Sequence, residues 1–181
     1  MGRNGEALPH YERAIRLRPD FEPAECNYAD SLRALNRPAD AGAHYRRAIQ
    51  LQPGDAGAYF GLGMAAEDSG RTDEALNGYR KAVELKPELA DAQYNLGVLL
   101  LNGNRAAEAI THFRAAVECR TNYAAAYVGR GLAEAQLNQT PEAVRDLESA
   151  QQLDPNISGV SETLAQLREK LAAGHNGDKQ P

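Results

Sequence analysis

The stretch HYRRAIQLQP, residues 44–53, repeats a phrase that the chain has already used. Residues 10–19 read HYERAIRLRP, 34 positions earlier, and residues 79–87 read YRKAVELKP. Each copy has the apolar spacing of a helix that buries one face, and each ends in a proline, which stops a helix. We therefore interpret the phrase as one helix of a repeating unit.

Several columns of the sequence keep the same 34-residue period, and they differ in the size of the residue that they hold. Columns of small residues let the helix axes approach closely, and columns of large residues fill the remaining gaps between the helices. The columns are Tyr11, Tyr45, Tyr79, Phe113 and Leu147; Ala7, Ala41, Ala75, Ala109 and Ala143; Ala14, Ala48, Ala82, Ala116 and Ala150; and Gly63, Gly97 and Gly131, with Ala29 in the fourth slot.

Helix-breaking residues separate the two halves of each unit. The segments are LNRPAD at 35–40, DSGRTD at 68–73, LNGNRA at 101–106 and LNQTPE at 137–142. Thr72 and Thr140 are residue types that favour the N-cap, and Pro38 and Pro141 suit the first turn of a helix. Each unit is therefore predicted to contain two helices.

This pattern resembles the tetratricopeptide repeat (TPR) family over about residues 5–173. The family's signature residues appear here as Tyr59, Leu62, Gly63, Ala75, Tyr79, Ala82 and Pro87. The resemblance implies an all-α fold, an α-α superhelix (TPR solenoid) of antiparallel helix pairs with a C-terminal capping helix. We expect a single array over 1–173, followed by a disordered tail at 174–181. Its parts are a half repeat at 5–21, full repeats at 22–55, 56–89, 90–123 and 124–157, and a capping helix at 158–173.

The N-terminal segment matches only the second helix of a unit, so it is expected to leave an apolar face uncovered. Either the chain was cut from a longer protein, which we favour, or a partner surface completes the unit. Self-association through this uncovered helix is a further alternative. At the other end, the stripe of Val160, Leu164, Leu167 and Leu171 is typical of a helix that closes a stack.

The composition argues against several classes of partner. A net charge of -5 over 181 residues disfavours nucleic acid, because phosphate binding needs concentrated Lys and Arg. There is no apolar run of roughly 18 residues and no signal-peptide core, so we expect no membrane partner. A cytoplasmic location is expected, unless an upstream targeting segment is missing.

No set of residues predicts catalysis, a cofactor or a metal ion. His10, His44 and His112 share one column, and equivalent slots should lie roughly 10 Å or more apart, so solvated histidines are expected. Cys119 falls in a column otherwise held by leucine, which predicts a small core residue. We therefore expect a non-catalytic protein.

The first helix of each unit carries a second apolar face. Its columns are Cys26, Phe60, Tyr94 and Val128; Asp30, Met64, Val98 and Leu132; and Arg33, Glu67, Leu101 and Ala135. In the TPR family this face lines a concave groove. Apolar surface left open to solvent is usually a partner site, and a groove between helices suits an extended or helical peptide. The alternative is that these residues pack against the second helix of their own unit.

Polar residues on this face indicate what kind of peptide it could bind. Asn27 and Asn95 share a column with Gly61 and Gly129, so an amide could pair with a peptide backbone while the glycines let it lie close. Four acids favour a partner with basic residues near its apolar anchors. They are Asp30, Glu67, Asp68 and Asp91.

Chaperone-binding members of the TPR family grip a C-terminal carboxylate with a Lys/Asn/Arg clamp. The matching positions of this chain hold Cys26, Asp30, Gly61, Asp91 and Asn95, so the clamp is absent and an acidic chaperone tail is not expected as a ligand.

The predicted function is a non-catalytic protein–protein interaction scaffold that binds an extended or helical peptide segment. The alternative is a targeting or substrate-recruiting module of a larger enzyme, such as a glycosyltransferase or a sulfotransferase. The predicted binding residues are Asn27, Asp30, Phe60, Met64, Asp91, Tyr94, Asn95, Val98, Leu101, Val128 and Leu132.

Overall fold

The computed structural model describes the backbone of residues 2–177 and the side chains of residues 5–173. Over this range the chain forms ten α-helices and no strand, which confirms the predicted all-α fold. The helices are α1 Gly2–Leu17, α2 Glu22–Ala34, α3 Pro38–Leu51, α4 Ala56–Asp68, α5 Thr72–Leu85, α6 Ala90–Asn102, α7 Ala106–Cys119, α8 Ala124–Gln136, α9 Thr140–Leu153 and α10 Val160–Gly177.

The helices belong to two compact units, one ending at Pro87 and the other beginning at Glu88. Within each unit every helix packs on the next one along the chain. The assignment of residues 1–173 to one array stays a prediction. Helix α10 continues to Gly177, because the alanines after Leu171 favour helix, so residues 174–177 do not form the disordered tail that we expected. The remaining predicted tail, 178–181, lies outside the described residues.

A residue in the left-handed conformation ends the first helix of each pair. These residues are Asn36, Gly70, Asn104 and Asn138, with φ between 58° and 71°. In each turn the next N–H donates to the carbonyl five residues earlier, as from Arg105 to Leu100 at 2.9 Å. Asn and Gly tolerate this conformation at little cost, and the bond satisfies carbonyls at the helix end. The second helix begins two residues after each left-handed residue.

This turn overturns one local prediction. Thr72 and Thr140 are the first residues of α5 and α9 rather than their N-caps. The N-cap positions belong to Arg71 and Gln139, neither of which makes a side-chain capping bond. The left-handed residue fixes where the second helix can start, and the N-cap slot falls directly after it.

Large side chains of the second helices form the centre of each unit. Tyr45 and Tyr79 in the first unit, and Phe113 in the second, are at most 2% exposed. Glycines on the neighbouring first helices make room for them. A Cβ on Gly97 would come within 2.9 Å of the Phe113 ring, and a Cβ on Gly129 within 2.5 Å. The Phe113 ring therefore lies between the bare backbones of α6 and α8.

Charged residues replace core residues in the last helix pair. Glu134 is 8% exposed and occupies the column that holds the buried Leu32 and Leu100 in other repeats. Nearby, Arg130 Nη2 donates to Asp146 Oδ1 at 2.7 Å. Glu134 Oε2 is buried and finds no hydrogen-bond partner among residues 5–173. Burial, followed by the negative charge of Asp146, raises the pKa of Glu134 to about 7.

We expect Gly129→Ala to destabilise the protein. The added methyl group collides with the Phe113 ring, and overpacking of this kind typically costs about 1–3 kcal/mol, which outweighs the gain in helix propensity. Urea denaturation measures the free energy of unfolding. Gly5→Ala is the control, because it also adds a methyl group inside a helix, where no described atom lies within 4 Å. Equal stabilities of the two variants would contradict the packing account.

We expect Glu134→Gln to remove a pH dependence of stability. Because the pKa of Glu134 is raised in the fold, its contribution is complete below the unfolded pKa of about 4.5 and is lost as the pH rises through about 7. The variant should exceed the wild type by about 1–3 kcal/mol at pH 8, and the difference should shrink towards pH 5. Glu162→Gln, at an exposed position of α10, is the control. A wild-type pH profile in Glu134→Gln would exclude Glu134 as the source.

Candidate ligand-binding groove

A cleft of about 250 Å³ opens between α6 and α8 in the second unit. Five of the predicted binding residues line it: Tyr94, Val98, Leu101, Val128 and Leu132. Phe113 and Ile157 line it as well, although the prediction did not include them. None of the residues described as lining the cleft carries a charge. The structure thus brings the C-terminal half of the predicted site together as an apolar cleft.

The residues that line the cleft contact the core and are also partly exposed to solvent. The ring centroid of Tyr94 lies 5.9 Å from that of Phe113, so this residue packs on the second helix of its own pair, as the alternative interpretation proposed. Val128 packs against a core cluster that contains Leu147 and Val160. Tyr94 and Val128 nevertheless remain half-buried, and Leu132 is 41% exposed. The two interpretations are therefore compatible for these side chains.

The equivalent face of the first unit is more polar. Phe60 and Met64 are half-buried, and the Phe60 ring lies 5.7 Å from that of Tyr79. The Tyr79 hydroxyl donates to Glu67 Oε2 at 2.5 Å, and the Tyr45 hydroxyl donates to Asp30 Oδ1. Asp30 and Glu67 are both exposed, so this face presents carboxylates beside its apolar residues.

The polarity of each face follows the side chain that fills the core behind it. Where the core residue is Tyr45 or Tyr79, its hydroxyl needs an acceptor, and an acid of the first helix supplies one. Phe113 has no hydroxyl, and position 101, which corresponds to Glu67, holds leucine. In the second unit the apolar cleft thus lies beside a core residue that requires no polar partner.

Arginine side chains partly neutralise the acidic character that the sequence predicts for the groove. Arg33 Nε lies 2.6 Å from Asp68 Oδ2. Asp91 accepts two bonds from Arg120, at 3.0 and 2.9 Å, and a third from the Tyr123 hydroxyl at 3.0 Å. The Arg120 guanidinium is the main cause that lowers the pKa of Asp91. Two of the four acids are therefore balanced by arginines, which weakens the argument for a basic partner.

The expected role of the glycines in the Asn column is wrong. Gly61 and Gly129 are buried, and a Cβ on Gly61 would come within 2.3 Å of the Tyr45 ring. The side chain of the preceding second helix, and not a ligand, takes the space that these glycines leave. Asn27 is exposed and Asn95 half-buried, and their pairing with a peptide backbone stays a prediction.

Two other residue-level expectations are corrected. His44 and His112 are half-buried and not simply solvated, since their Nδ1 atoms lie 2.6 Å from Glu25 Oε2 and 2.8 Å from Gln93 Oε1. Cys119 is exposed and not a core residue. Its column lies at the end of the second helix, where Leu17 is also 72% exposed, so a leucine column does not mark the core there.

One group of metal-ligand side chains lies on α2 and at the start of α4. Potential ligand atoms of Glu22, Cys26 and Asp55 all lie within 4.8 Å of one another. Cys26 Sγ donates to Glu22 Oε1 at 2.9 Å, and Asp55 caps α4 by accepting from the Gly57 N–H at 2.8 Å. Burial is the main cause that raises the pKa of both Glu22 and the Cys26 thiol. Both shifts oppose the loss of a proton that metal binding requires, and the prediction of no metal site stays a prediction.

Among residues 2–177, no helix combines the length and the apolar content that crossing a membrane requires.

Comparison with known proteins identifies the repeat. The family model described as tetratricopeptide repeat matches residues 1–56, 26–90 and 60–124. No protein of curated function matches the sequence.

Solved structures of TPR proteins share the fold. MamA is 22% identical, with a TM-score of 0.79 and coverage of 85% of this chain and 90% of that one. YrrB, described as a TPR protein with an unusual peptide-binding site, is 23% identical, with a TM-score of 0.82 and coverage of 90% and 84%. The first TPR of Spaghetti (RPAP3), bound to the HSP90 peptide SRMEEVD, is 26% identical, with a TM-score of 0.62 and coverage of 65% and 93%.

Proposed function

The chain belongs to the tetratricopeptide repeat family, and we propose that it is a non-catalytic scaffold whose cleft between α6 and α8 binds an apolar segment of a partner protein. The observation that carries the proposal is the cleft itself. It keeps Val98, Leu101 and Leu132 partly open to water with no charged residue described in its lining.

Burial of the partner's side chains supplies the binding free energy. Each Å² of apolar surface removed from water contributes about 25 cal/mol to the binding free energy. A cleft of this kind therefore favours an aliphatic or aromatic side chain of the partner. A charged anchor would lose its hydration without meeting an opposite charge in the lining. The ligand is therefore an apolar, uncharged stretch, and the basic flanks expected from the sequence are not needed at this cleft.

The comparisons support peptide binding as a use of the fold, since one neighbour is described by its peptide-binding site and another holds a peptide. The bound HSP90 peptide ends in acidic residues, whereas the clamp positions Asp30 and Asp91 of this chain are acids. We therefore propose a different class of ligand. The alternative role, as the recruiting module of a larger enzyme, would use the same cleft.

We expect Leu132→Asp to weaken peptide binding while leaving the fold intact. A library of random 12-residue peptides displayed on phage is selected on the immobilised full chain, and the enriched peptides are measured by fluorescence anisotropy. Because the change places a charge in the cleft, affinity should fall at least about tenfold.

Leu137→Asp is the matched control, since Leu132 and Leu137 are both 41% exposed but only Leu132 lines the cleft. It should bind like the wild type, and circular dichroism should show equal helicity for both variants. Equal binding by the two variants, or a selection that enriches no peptide, would reject the cleft as the site.

A further inference from the structure

The outer faces of α1, α3 and α5 carry a surplus of positive charge. In α3 the buried residues Ala41, Tyr45 and Ala48 occupy one face, and the opposite face is exposed. Three positions on the equivalent face of each helix hold, in total, six basic residues, two acids and one glutamine. They are Glu12, Arg13 and Arg16 of α1; Arg46, Arg47 and Gln50 of α3; and Arg80, Lys81 and Glu84 of α5. We call the six basic residues the basic stripe; five are exposed and Lys81 is half-buried.

Contacts between neighbouring helices join the basic stripe within the first compact unit. Arg46 Nη2 donates to Glu74 Oε1 of α5, and Arg47 Nη2 donates to the Pro19 carbonyl, just after α1, at 3.4 Å. The arginines of α3 therefore reach the helices on both sides of it. The six charges thus belong to one surface and not to three separate ones.

The acids on this surface already have partners, whereas three of the arginines do not. Glu12 accepts from the Tyr28 hydroxyl at 2.8 Å, and Glu84 accepts from Lys81 Nζ at 2.7 Å. Three side chains of the basic stripe make no hydrogen bond or ion pair within residues 5–173; they are Arg13, Arg16 and Arg80. Their guanidinium groups are therefore open to a ligand.

The repeat itself does not require this charge. The six corresponding positions of α7 and α9 hold one arginine, two glutamates and three uncharged residues. They are Arg114, Ala115, Glu118, Glu148, Ser149 and Gln152. Like charges that lie close together on a helical surface repel one another, so the basic stripe does not stabilise the fold. A surface that opposes stability and is not needed by the stack indicates a role in binding.

We propose that the basic stripe is a second interaction surface, which binds an extended acidic segment of a partner protein. It is built from second helices of the first compact unit, so it shares no residue with the cleft between α6 and α8. None of its residues belongs to the site predicted from the sequence. Five of its six residues are arginines, whose planar guanidinium group binds a carboxylate through two parallel N–H···O bonds.

The charge of the surroundings favours an acidic peptide over a nucleic acid or a phospholipid surface. Residues 1–87 contain 12 Lys and Arg and 13 Asp and Glu, which leaves the first compact unit with a net charge of -1. A polyanion such as a nucleic acid needs a concentrated positive field along its whole length. A peptide can instead place a few carboxylates on the arginines and uncharged residues elsewhere.

The column of Arg13, Arg47 and Lys81 sets the spacing of the carboxylates in the ligand. These residues are one repeat apart, on successive second helices, and packed helices lie about 8–10 Å apart. An extended chain rises roughly 3.3 Å per residue, so three residues cover about 10 Å. The ligand that fits is therefore an extended segment with an acid at every third position.

The test uses a fluorescent 12-residue peptide with glutamate at every third position and serine and glycine between. Its binding to the full chain is measured by fluorescence anisotropy. The triple variant Arg13→Gln, Arg16→Gln and Arg80→Gln removes the three unpartnered cations and breaks no side-chain contact of the described structure. It should weaken binding about tenfold, and binding to the wild type should weaken as salt is added, because the charges are exposed.

A matched control makes the same change of net charge on the second compact unit. Its substitutions, all at exposed positions, are Arg114→Gln, Arg145→Gln and Arg168→Gln. It should bind the peptide like the wild type, and circular dichroism should show equal helicity for both triple variants. No binding of the peptide, or an equal loss in the two triple variants, would overturn the proposal. Tighter binding of a 12-nucleotide oligothymidylate or of phosphatidylserine vesicles than of the peptide would overturn the assignment to an acidic protein segment.

Discussion

The second unit depends on the space between two helix backbones that a single ring fills. Phe113 lies where a Cβ on Gly97 or on Gly129 would collide with it, so α6 and α8 can approach the ring only because both positions are glycine. The contact fixes the separation of α6 and α8. Tyr94 and Val98 on α6, and Val128 and Leu132 on α8, flank those glycines along their helices, and they line the cleft. The same packing therefore builds the core and leaves apolar side chains partly open beside it.

The chemistry of the core residue also decides what the surface above it can bind. Tyr79 fills the first unit as Phe113 fills the second, but its hydroxyl must find an acceptor, and Glu67 provides it at 2.5 Å. A carboxylate held in this way brings charge and hydration to the face. Phe113 imposes no such requirement, so the corresponding position can hold Leu101 and the cleft can stay apolar. One hydroxyl group thus separates a polar face from a candidate site for an apolar ligand.

The repeat period of the sequence predicts the features that depend on the spacing of its columns. Column spacing is sufficient for the helix pairs, for the buried alanines and rings, and for five side chains that line the cleft. Column spacing does not show which neighbouring helix covers a given residue. For this reason Gly61 was predicted to face a ligand, although the Tyr45 ring covers it. The burial of Glu134 and the exposure of Cys119 were not predicted, for the same reason.

The most direct measurement is a stability cycle that moves the polar arrangement of the first unit into the second. Phe113→Tyr and Leu101→Glu recreate the relation of Tyr79 to Glu67, one period later. The account predicts that each single change destabilises the protein, by a buried unpaired hydroxyl or a charge in an apolar cleft, and that the double variant recovers at least about 1 kcal/mol of this loss through the new hydrogen bond. Strictly additive free energies of unfolding, with no coupling between the two positions, would contradict the claim that the core ring sets the polarity of the groove.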